Sequence, residues 1–385
     1  MKVAIEILSA IPGKCGAVGN LWRNNLKYLP DMDPNIEYFV FVTTSLKEYY
    51  NKYLEKKADN LNLISINIDA ENVIQKLIAQ EVEVPRLCKR FRIDIHFTTS
   101  PAPFFRKFHS IEIFKITALQ FYYHPEQVGK KQTLYHRTAV PRKAKKADII
   151  IANSRYTRGE ISRIIGIPKE KIRVIHEAVD HSLFNTNTDT QVHRNWLKQK
   201  HSIDYEYILF ISDLRPYKNP LILIKAFEKL FNERKIQHRL VIIGNSVMGY
   251  KDVLTEYIRD KKVGERILFL GFLEPFELLH FYRCASLFVY PSELETFGTP
   301  PLEAMACGVP VIVSNKTAVP EIAGDGALKI DPRNLDELVD AMDKLLSDSN
   351  LREEMITKGF KRASDFSWER HARETVTLFK EVSAT

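Results

Sequence analysis

Two carboxylates eight positions apart, Glu295 and Glu303, stand in the stretch "PSELETFGTPPLEAMACGVPVIVSN", residues 291–315. The first falls in a loop after the apolar run "LFVYPS". The second falls inside a helix that "PPLEAMACG" opens with proline and closes at Gly308, the residues that suit those two positions. A carboxylate accepts hydrogen bonds from two neighbouring hydroxyls, as a ribose or hexose presents them. The backbone amides of Phe297, Gly298 and Thr299, between the two acids, suit an anion such as a phosphate. The pair therefore has the chemistry to hold a sugar joined to a phosphate. A glutamate near a helix start can also do no more than oppose the helix dipole, worth about 0.3–1 kcal/mol, and the spacing alone leaves both readings open.

Two other stretches carry similar chemistry. In "FISDLRPYKNPLILIKAF", Arg215 and Lys218 stand just before a helix expected to begin near Asn219 or Pro220. A cation beside helix amides can hold a diphosphate there, while a solvated loop lysine is the commoner alternative. In "AIPGKCGAVGNLWRNNLKYL", Gly13, Gly16 and Gly19 flank a helix start, where backbone N–H groups can approach a phosphate. Ordinary turn glycines fit these positions equally well. The spacing is not GxGxxG with a matching acid, which makes a nicotinamide cofactor a poor fit. "DMD" at Asp31–Asp33 has the form of a metal-binding DxD, but it follows a helix and precedes a strand and is expected to be a turn. No metal and no cofactor are expected.

The elements that must position these residues alternate through the chain. "KVAIEIL", "EYFVFVTT", "NLISINI", "DIHFTT", "IFKITAL", "DIIIANS" and "KIRVIHEAV" read as strands, many apolar on both faces as buried parallel strands are, with helical stretches between several of them. After a polar break near "NTNTDTQVHRN" the order restarts with "EYILFIS", "LVIIG", "RILFLG", "LFVYPS" and "PVIVSN". This predicts an α/β chain with two doubly wound parallel sheets, and ligands beyond the carboxyl ends of the strands, where all three stretches fall. At 385 residues and 45% hydrophobic, the chain exceeds the size of a single core. Its four cysteines (Cys15, Cys88, Cys284 and Cys307) are scattered, which suggests neither a zinc site nor disulfides and fits a reducing cytosol. No run has the length or apolarity of a leader or a membrane span, so a protein neither secreted nor integral is expected.

Charge is unevenly shared. Residues 1–187 hold 29 Lys and Arg against 19 Asp and Glu, or +10, and the remainder 27 against 29, or −2. Residues 101–173 alone hold 16 basic and 5 acidic side chains. Solvated helix faces account for most such runs. The asymmetry also suits an anionic partner, such as a phospholipid surface, a phosphorylated acceptor or nucleic acid.

The stretch "ETFGTPPLEAMACGVPVI" resembles the Glu-x7-Glu signature of the family 4 retaining glycosyltransferases, enzymes of the two-Rossmann-domain GT-B fold. The likeness runs along nearly the whole chain. "GAVGNLWRNNL" is similar to the family's glycine loop, "ANSRYTRGEI" to the last turn of its first domain and "VIHEAVDHSLF" to its interdomain approach. "RILFLGFLEPFELLHFYRCASLFVYPS", with Phe272, resembles its nucleotide-base region, and "FSWERHARETVTLFKEV" its closing helix. The resemblance implies an acceptor-side domain over 1–187 plus a crossing helix at 366–385, and a nucleotide-sugar donor domain over 188–365, facing a central cleft. It implies that Glu303 binds ribose hydroxyls and Glu295 hexose hydroxyls, that Phe297, Gly298 and Thr299 offer amides, and that Lys218 neutralises the leaving diphosphate. Gly16 and Ala17 would bring backbone close to the donor. Where many members read Gly-Arg-Leu, this chain has "SDL" with Asp213, and Arg215 lies two residues on. Where many have His-Asp, it has Thr117 and Ala118, which leaves His124 as the acceptor-side candidate.

The implied function is a retaining, metal-independent hexosyltransferase. It would use a nucleotide sugar, UDP-glucose or a similar UDP-hexose, and a saccharide or lipid-linked acceptor in polysaccharide biosynthesis. A nucleotide-sugar epimerase or hydrolase of the same fold, and a catalytically silent nucleotide-sugar-binding protein, are the alternatives. The expected location is cytoplasmic, with peripheral contact to the anionic inner membrane face through Arg142, Lys143, Lys145 and Lys146, and nucleic acid is not an expected partner.

Overall fold

The computed structural model describes residues 1–8, 10, 16–54, 58–102 and 109–384. The chain forms two compact units, Met1–Glu177 with Trp368–Thr385, and Ala178–Ser367. The sequence placed the change at 187/188. In the structure Phe184 is buried edge-on against Tyr282 at 5.7 Å and His181 meets the Ala363 carbonyl at 3.2 Å, so the residues after Glu177 pack with the second unit. The polar break is a stretch of that unit that runs into the helix Thr190–His201, rather than the crossing itself.

In the first unit the strands are β1 (Lys2–Glu6), β2 (Glu37–Thr43), β3 (Leu61–Ile66), β4 (Ile95–Thr98), β5 (Ile111–Ile116), β6 (Ile149–Ala152) and β7 (Ile172–Val174). They pair in the order β3-β2-β1-β4-β5-β6-β7, every pair parallel. The direction of winding reverses between β1 and β4, so the carboxyl ends of those two strands flank the switch point at which open α/β sheets take ligands. The helix Gly16–Met32 and the last helix, Trp368–Ser383, share one core with this sheet, in which Trp22, Leu26 and Leu29 meet Ala372, Val376 and Phe379. The C-terminal segment thus returns to the first unit.

The second unit repeats the plan with β8 (Tyr207–Ile211), β9 (Arg239–Ile243), β10 (Ile267–Leu270), β11 (Leu287–Tyr290), β12 (Val311–Ser314) and β13 (Leu328–Ile330). The order is β10-β9-β8-β11-β12-β13, again all parallel. Its switch point lies between β8 and β11. The residues of β8, β11 and β12 are all buried, which is why the apolar runs show no alternation. β13 was not expected from the sequence. It is three residues long with an exposed lysine at its centre, too short for a periodic signal.

Candidate functional site

The carboxyl ends of β8 and β11 carry the residues singled out by sequence. Beyond β8 the chain does not leave as a free loop. Leu214 bridges to Ser246 of the loop after β9, and its N–H reaches the Asn245 carbonyl at 2.8 Å. Gly244 makes this possible. Its φ is 148°, and a Cβ there would lie 1.9 Å from the Ser212 carbonyl oxygen, so only glycine lets the two strand exits come together. A single 3-10 turn, Pro216–Lys218, follows, then Asn219 in the left-handed region at φ 60°, a conformation that asparagine tolerates. The Asn219 amide donates to the Pro332 carbonyl at 2.6 Å, and the helix Pro220–Lys229 begins. Lys218 is therefore held on a built corner, with its ammonium 5.4 Å from the Tyr217 ring and 5.9 Å from that of Tyr290.

Beyond β11, Glu295 is fixed at both its main-chain and side-chain ends. Its N–H donates to Thr317 Oγ1 at 3.0 Å. Its Oε1 accepts from Lys218 Nζ at 2.6 Å and from the Tyr290 hydroxyl at 2.5 Å. The Lys218 and Glu295 side chains are 15% and 9% exposed, so this ion pair is largely desolvated. Gly298, at φ 95°, turns the chain into the helix Thr299–Ala306. Pro300 and Pro301 carry no N–H, which leaves fewer amide donors to satisfy at the helix start. Phe297 turns its ring inward against Phe366 at 5.8 Å, so only its backbone is available to a ligand.

Glu303, half-buried in that helix, accepts from the Tyr282 hydroxyl at 2.8 Å. Tyr282 comes from the helix Pro275–Cys284, which the capping pair Glu274 and Glu277 starts and the helix Thr190–His201 supports. Trp196 of that second helix stacks on His280 at 4.1 Å, and His193 Nδ1 lies 3.0 Å from His280 Nδ1. Burial and the neighbouring His280 pull the His193 pKa down to about 4, so the packing uses neutral rings. Burial, then the adjacent Glu303, raises the Tyr282 phenol well above its ordinary value. Burial and Glu295 do the same for Tyr290. Both phenols thus stay protonated as donors to the two glutamates. Neither tyrosine was singled out by sequence. Phe272, just past β10, is 51% exposed, an unusual state for a phenylalanine beside a strand end, and Arg215 lies half-buried next to the Lys218 turn.

In the first unit, Gly16 and Ala17 open the helix Gly16–Met32 after β1, while Gly13 lies outside the described residues. Thr117 and Ala118 directly follow β5. His124, seven residues further on from Thr117, ends the short helix Gln120–Tyr123 and its Nδ1 lies 3.3 Å from Glu126. A buried network occupies the switch point. Glu6 accepts from Gln80 Nε2 at 2.8 Å and from Thr98 Oγ1 at 2.9 Å, and Gln80 also donates to Ser100 Oγ at 2.6 Å. Sequence reasoning missed it, since its members come from separate elements. At the carboxyl ends of β5, β6 and β7, Lys115 and Glu177 are both buried, and Asn153 Nδ2 donates to Glu177 at 3.4 Å. Burial pulls the Lys115 pKa down to about 8 against the opposing charge of Glu177.

One expectation changes. Lys143 is not a surface contact. It is 1% exposed and paired with the Glu112 carboxylate, whose Oε1 also lies 3.3 Å from His96 Nδ1. Burial alone would raise Glu112, but the His96 hydrogen bond and the Lys143 charge outweigh it and hold the pKa at about 2. Arg142, Lys145 and Lys146 do remain exposed. Asp33 of "DMD" sits in the turn into β2 and pairs with Lys380 at 2.6 Å. Among the described residues no group of three or more His, Cys, Asp or Glu comes together as a metal-ligand set, and no helix is long and apolar enough to cross a membrane.

Two parallel switch-point sheets, with a basic turn after β8 and a Glu-x7-Glu pair after β11, are set in a GT-B fold. The description "Glycosyltransferase Family 4" matches residues 20–183, and "Glycosyl transferases group 1" matches residues 194–362. The O-antigen chain mannosyltransferase B of Escherichia coli is 30% identical over 275 residues, 71% of this chain and 69% of that protein. A D-inositol 3-phosphate glycosyltransferase of Corynebacterium glutamicum is 27% identical, over 62% of this chain and 58% of its own length. The fold matches sucrose-phosphate synthase of Thermosynechococcus elongatus at a TM-score of 0.79 and 16% identity, covering 100% of this chain and 99% of that one. It matches Anabaena Alr3699/HepE in complex with UDP and glucose at 0.76 and 18%, covering 99% and 100%. The chain belongs to glycosyltransferase family 4.

Proposed function

We propose that this chain is a retaining hexosyltransferase that moves a hexose from a UDP-sugar, UDP-glucose or a close analogue, to a hydroxyl of a lipid-linked or growing polysaccharide without a metal ion. The observation that carries this reading is the placement of Lys218, Glu295 and Glu303 at the carboxyl ends of β8 and β11, on either side of the switch point. Glu303 takes the ribose hydroxyls and Glu295 the hexose hydroxyls. The Phe297, Gly298 and Thr299 backbone meets the phosphate, and Phe272 offers an apolar face to the base. Lys218, with Arg215, neutralises the charge that develops on the departing diphosphate, the task a metal performs elsewhere. No side chain stands as a nucleophile in this reading. The hexose passes through an oxocarbenium-like state, the acceptor oxygen bonds on the face the diphosphate leaves, and a departing phosphate oxygen takes the acceptor proton. On the first unit, Gly16 and Ala17 are assigned to the donor and His124 to the acceptor.

A polysaccharide acceptor is supported by the name of the E. coli relative, an O-antigen chain enzyme. That name also favours a second reading for the donor, a mannosyl nucleotide. The membrane contact is proposed for the first unit, at exposed Arg142, Lys145 and Lys146 together with an apolar set. Val73 (57% exposed), Ile74 (70%) and Ile78 (56%) belong to the helix Val73–Ile78, and Leu134 (66%) to the helix Lys130–Lys146. The β3-to-β4 and β5-to-β6 connections run in the same direction, so right-handed crossover puts both helices on one face of the sheet.

The test is turnover. UDP-glucose and GDP-mannose are each incubated with the protein and a lipid-linked saccharide fraction, and the product anomer is read by NMR. Transfer with the donor's anomeric configuration is expected. Free sugar released without acceptor would replace the reading with a hydrolase, and no turnover despite nucleotide binding would replace it with a binding protein.

A further inference from the structure

Glu295 and Lys218 have separate tasks in the proposed reaction, yet each is bound to the other. Lys218 Nζ lies 2.6 Å from Glu295 Oε1, and the same oxygen accepts from Tyr290 at 2.5 Å. One carboxylate oxygen therefore holds two donors of different kinds. Lys218 arrives on a side chain from the turn after β8, and an ammonium can change partners. Tyr290 is anchored by packing. It is 2% exposed at the end of β11, its ring lies stacked 6.1 Å from Phe288 and 6.4 Å from Phe210, and its hydroxyl also hydrogen-bonds Ser212.

We infer that Tyr290 is a positioning residue that keeps Glu295 oriented toward the hexose when Lys218 leaves it for the donor diphosphate. The Lys218–Glu295 pair is then the resting partner of a lysine that donor binding recruits. A diphosphate brings more charge to Lys218 than a carboxylate does, so the exchange is favoured once nucleotide is present. After the exchange Glu295 keeps the Tyr290 hydrogen bond on Oε1 and has Oε2 left to accept from sugar hydroxyls. The resting pair also sets a cost on nucleotide binding, because part of the gain at Lys218 goes to separating it from Glu295.

This rests on the assignment of Glu295 to the hexose and Lys218 to the diphosphate, and the experiment separates the two failures. UDP and UDP-glucose, with GDP and GDP-mannose in parallel, are titrated into the full chain by calorimetry. In Tyr290→Phe the ring and its packing remain and only the hydroxyl is lost. The expected result is UDP affinity within about 2-fold of wild type and UDP-glucose affinity reduced about 10-fold, the size of one hydrogen bond to a charged group. A purely structural tyrosine would shift both ligands together or neither, and either outcome overturns the inference. In Glu295→Gln, UDP should bind several-fold tighter, and that gain should shrink when the same change is made on Lys218→Met. Simple removal of a like charge would give the same gain in both backgrounds and would overturn the partner exchange. If wild type binds none of the four nucleotides, the functional reading itself fails and takes the inference with it.

Discussion

At the residue scale, the two glutamates are not equivalent, and their partners show why. Glu303 accepts from the neutral phenol of Tyr282, whereas Glu295 is held by Tyr290 and by the charge of Lys218. Glu303→Ala removes the ribose contact from every nucleotide ligand, so UDP and UDP-sugar affinities should fall together, by about 10- to 100-fold for a charged hydrogen bond of ~1.5–3 kcal/mol. Calorimetry with both ligands checks this, and a loss confined to the sugar nucleotide would reverse the assignment. The glutamates and Lys218 were legible in the sequence because their chemistry stands beside strand ends and helix starts in a linear string. Tyr282 and Tyr290 were not. Each looks like an ordinary core aromatic until the fold shows which hydroxyl faces which carboxylate. Lys143 failed in the opposite direction, since a lysine in "PRKAKKAD" reads as surface charge until Glu112, from the start of β5, meets it.

At the scale of elements, the corner that carries Lys218 depends on the close approach of the β8 and β9 exits at Gly244. Gly244→Ala forces a Cβ onto the Ser212 carbonyl and should destabilise the second unit by about 3 kcal/mol or more, seen as a lower denaturation midpoint with nucleotide affinity reduced alongside. The buried Lys115 on β5 gives a pH signature. Its folded pKa of about 8 lies below the unfolded 10.5, so between those values the unfolded chain binds more protons. The cost of burying its charge is fully present below pH 8, and stability contributed by this group rises as pH climbs from about 8 toward 10.5. Urea denaturation across that range should show the rise in wild type and its loss in Lys115→Met, and parallel curves would contradict it. The strands up to β12 were readable from apolar runs, and their order across each sheet was not. β13 was not, because three residues around an exposed lysine carry no period, and neither was the Glu6–Gln80–Thr98–Ser100 network, which joins three separate parts of the chain.

At the scale of the whole molecule, the excess of positive charge in residues 1–187 was legible, and its use was not. The structure leaves Arg142, Lys145 and Lys146 exposed and adds Val73, Ile74, Ile78 and Leu134, apolar side chains that a sequence pattern would bury. If this face meets an anionic bilayer, flotation with anionic liposomes should be reversible and weaker at high salt, at about 1 kcal/mol per basic side chain near the surface, and weaker again in Ile74→Ser/Ile78→Ser. Flotation indifferent to lipid charge would leave a soluble acceptor as the better reading. The account as a whole stands on a nucleoside-diphosphate site in the second unit that works without metal, and calorimetric titration of UDP and GDP in excess EDTA tests it most directly. Heat of binding with one of them to wild type, with affinity about 10- to 100-fold weaker in Glu303→Ala, is the predicted result; no heat with either, or binding that Glu303→Ala leaves unchanged, would contradict it.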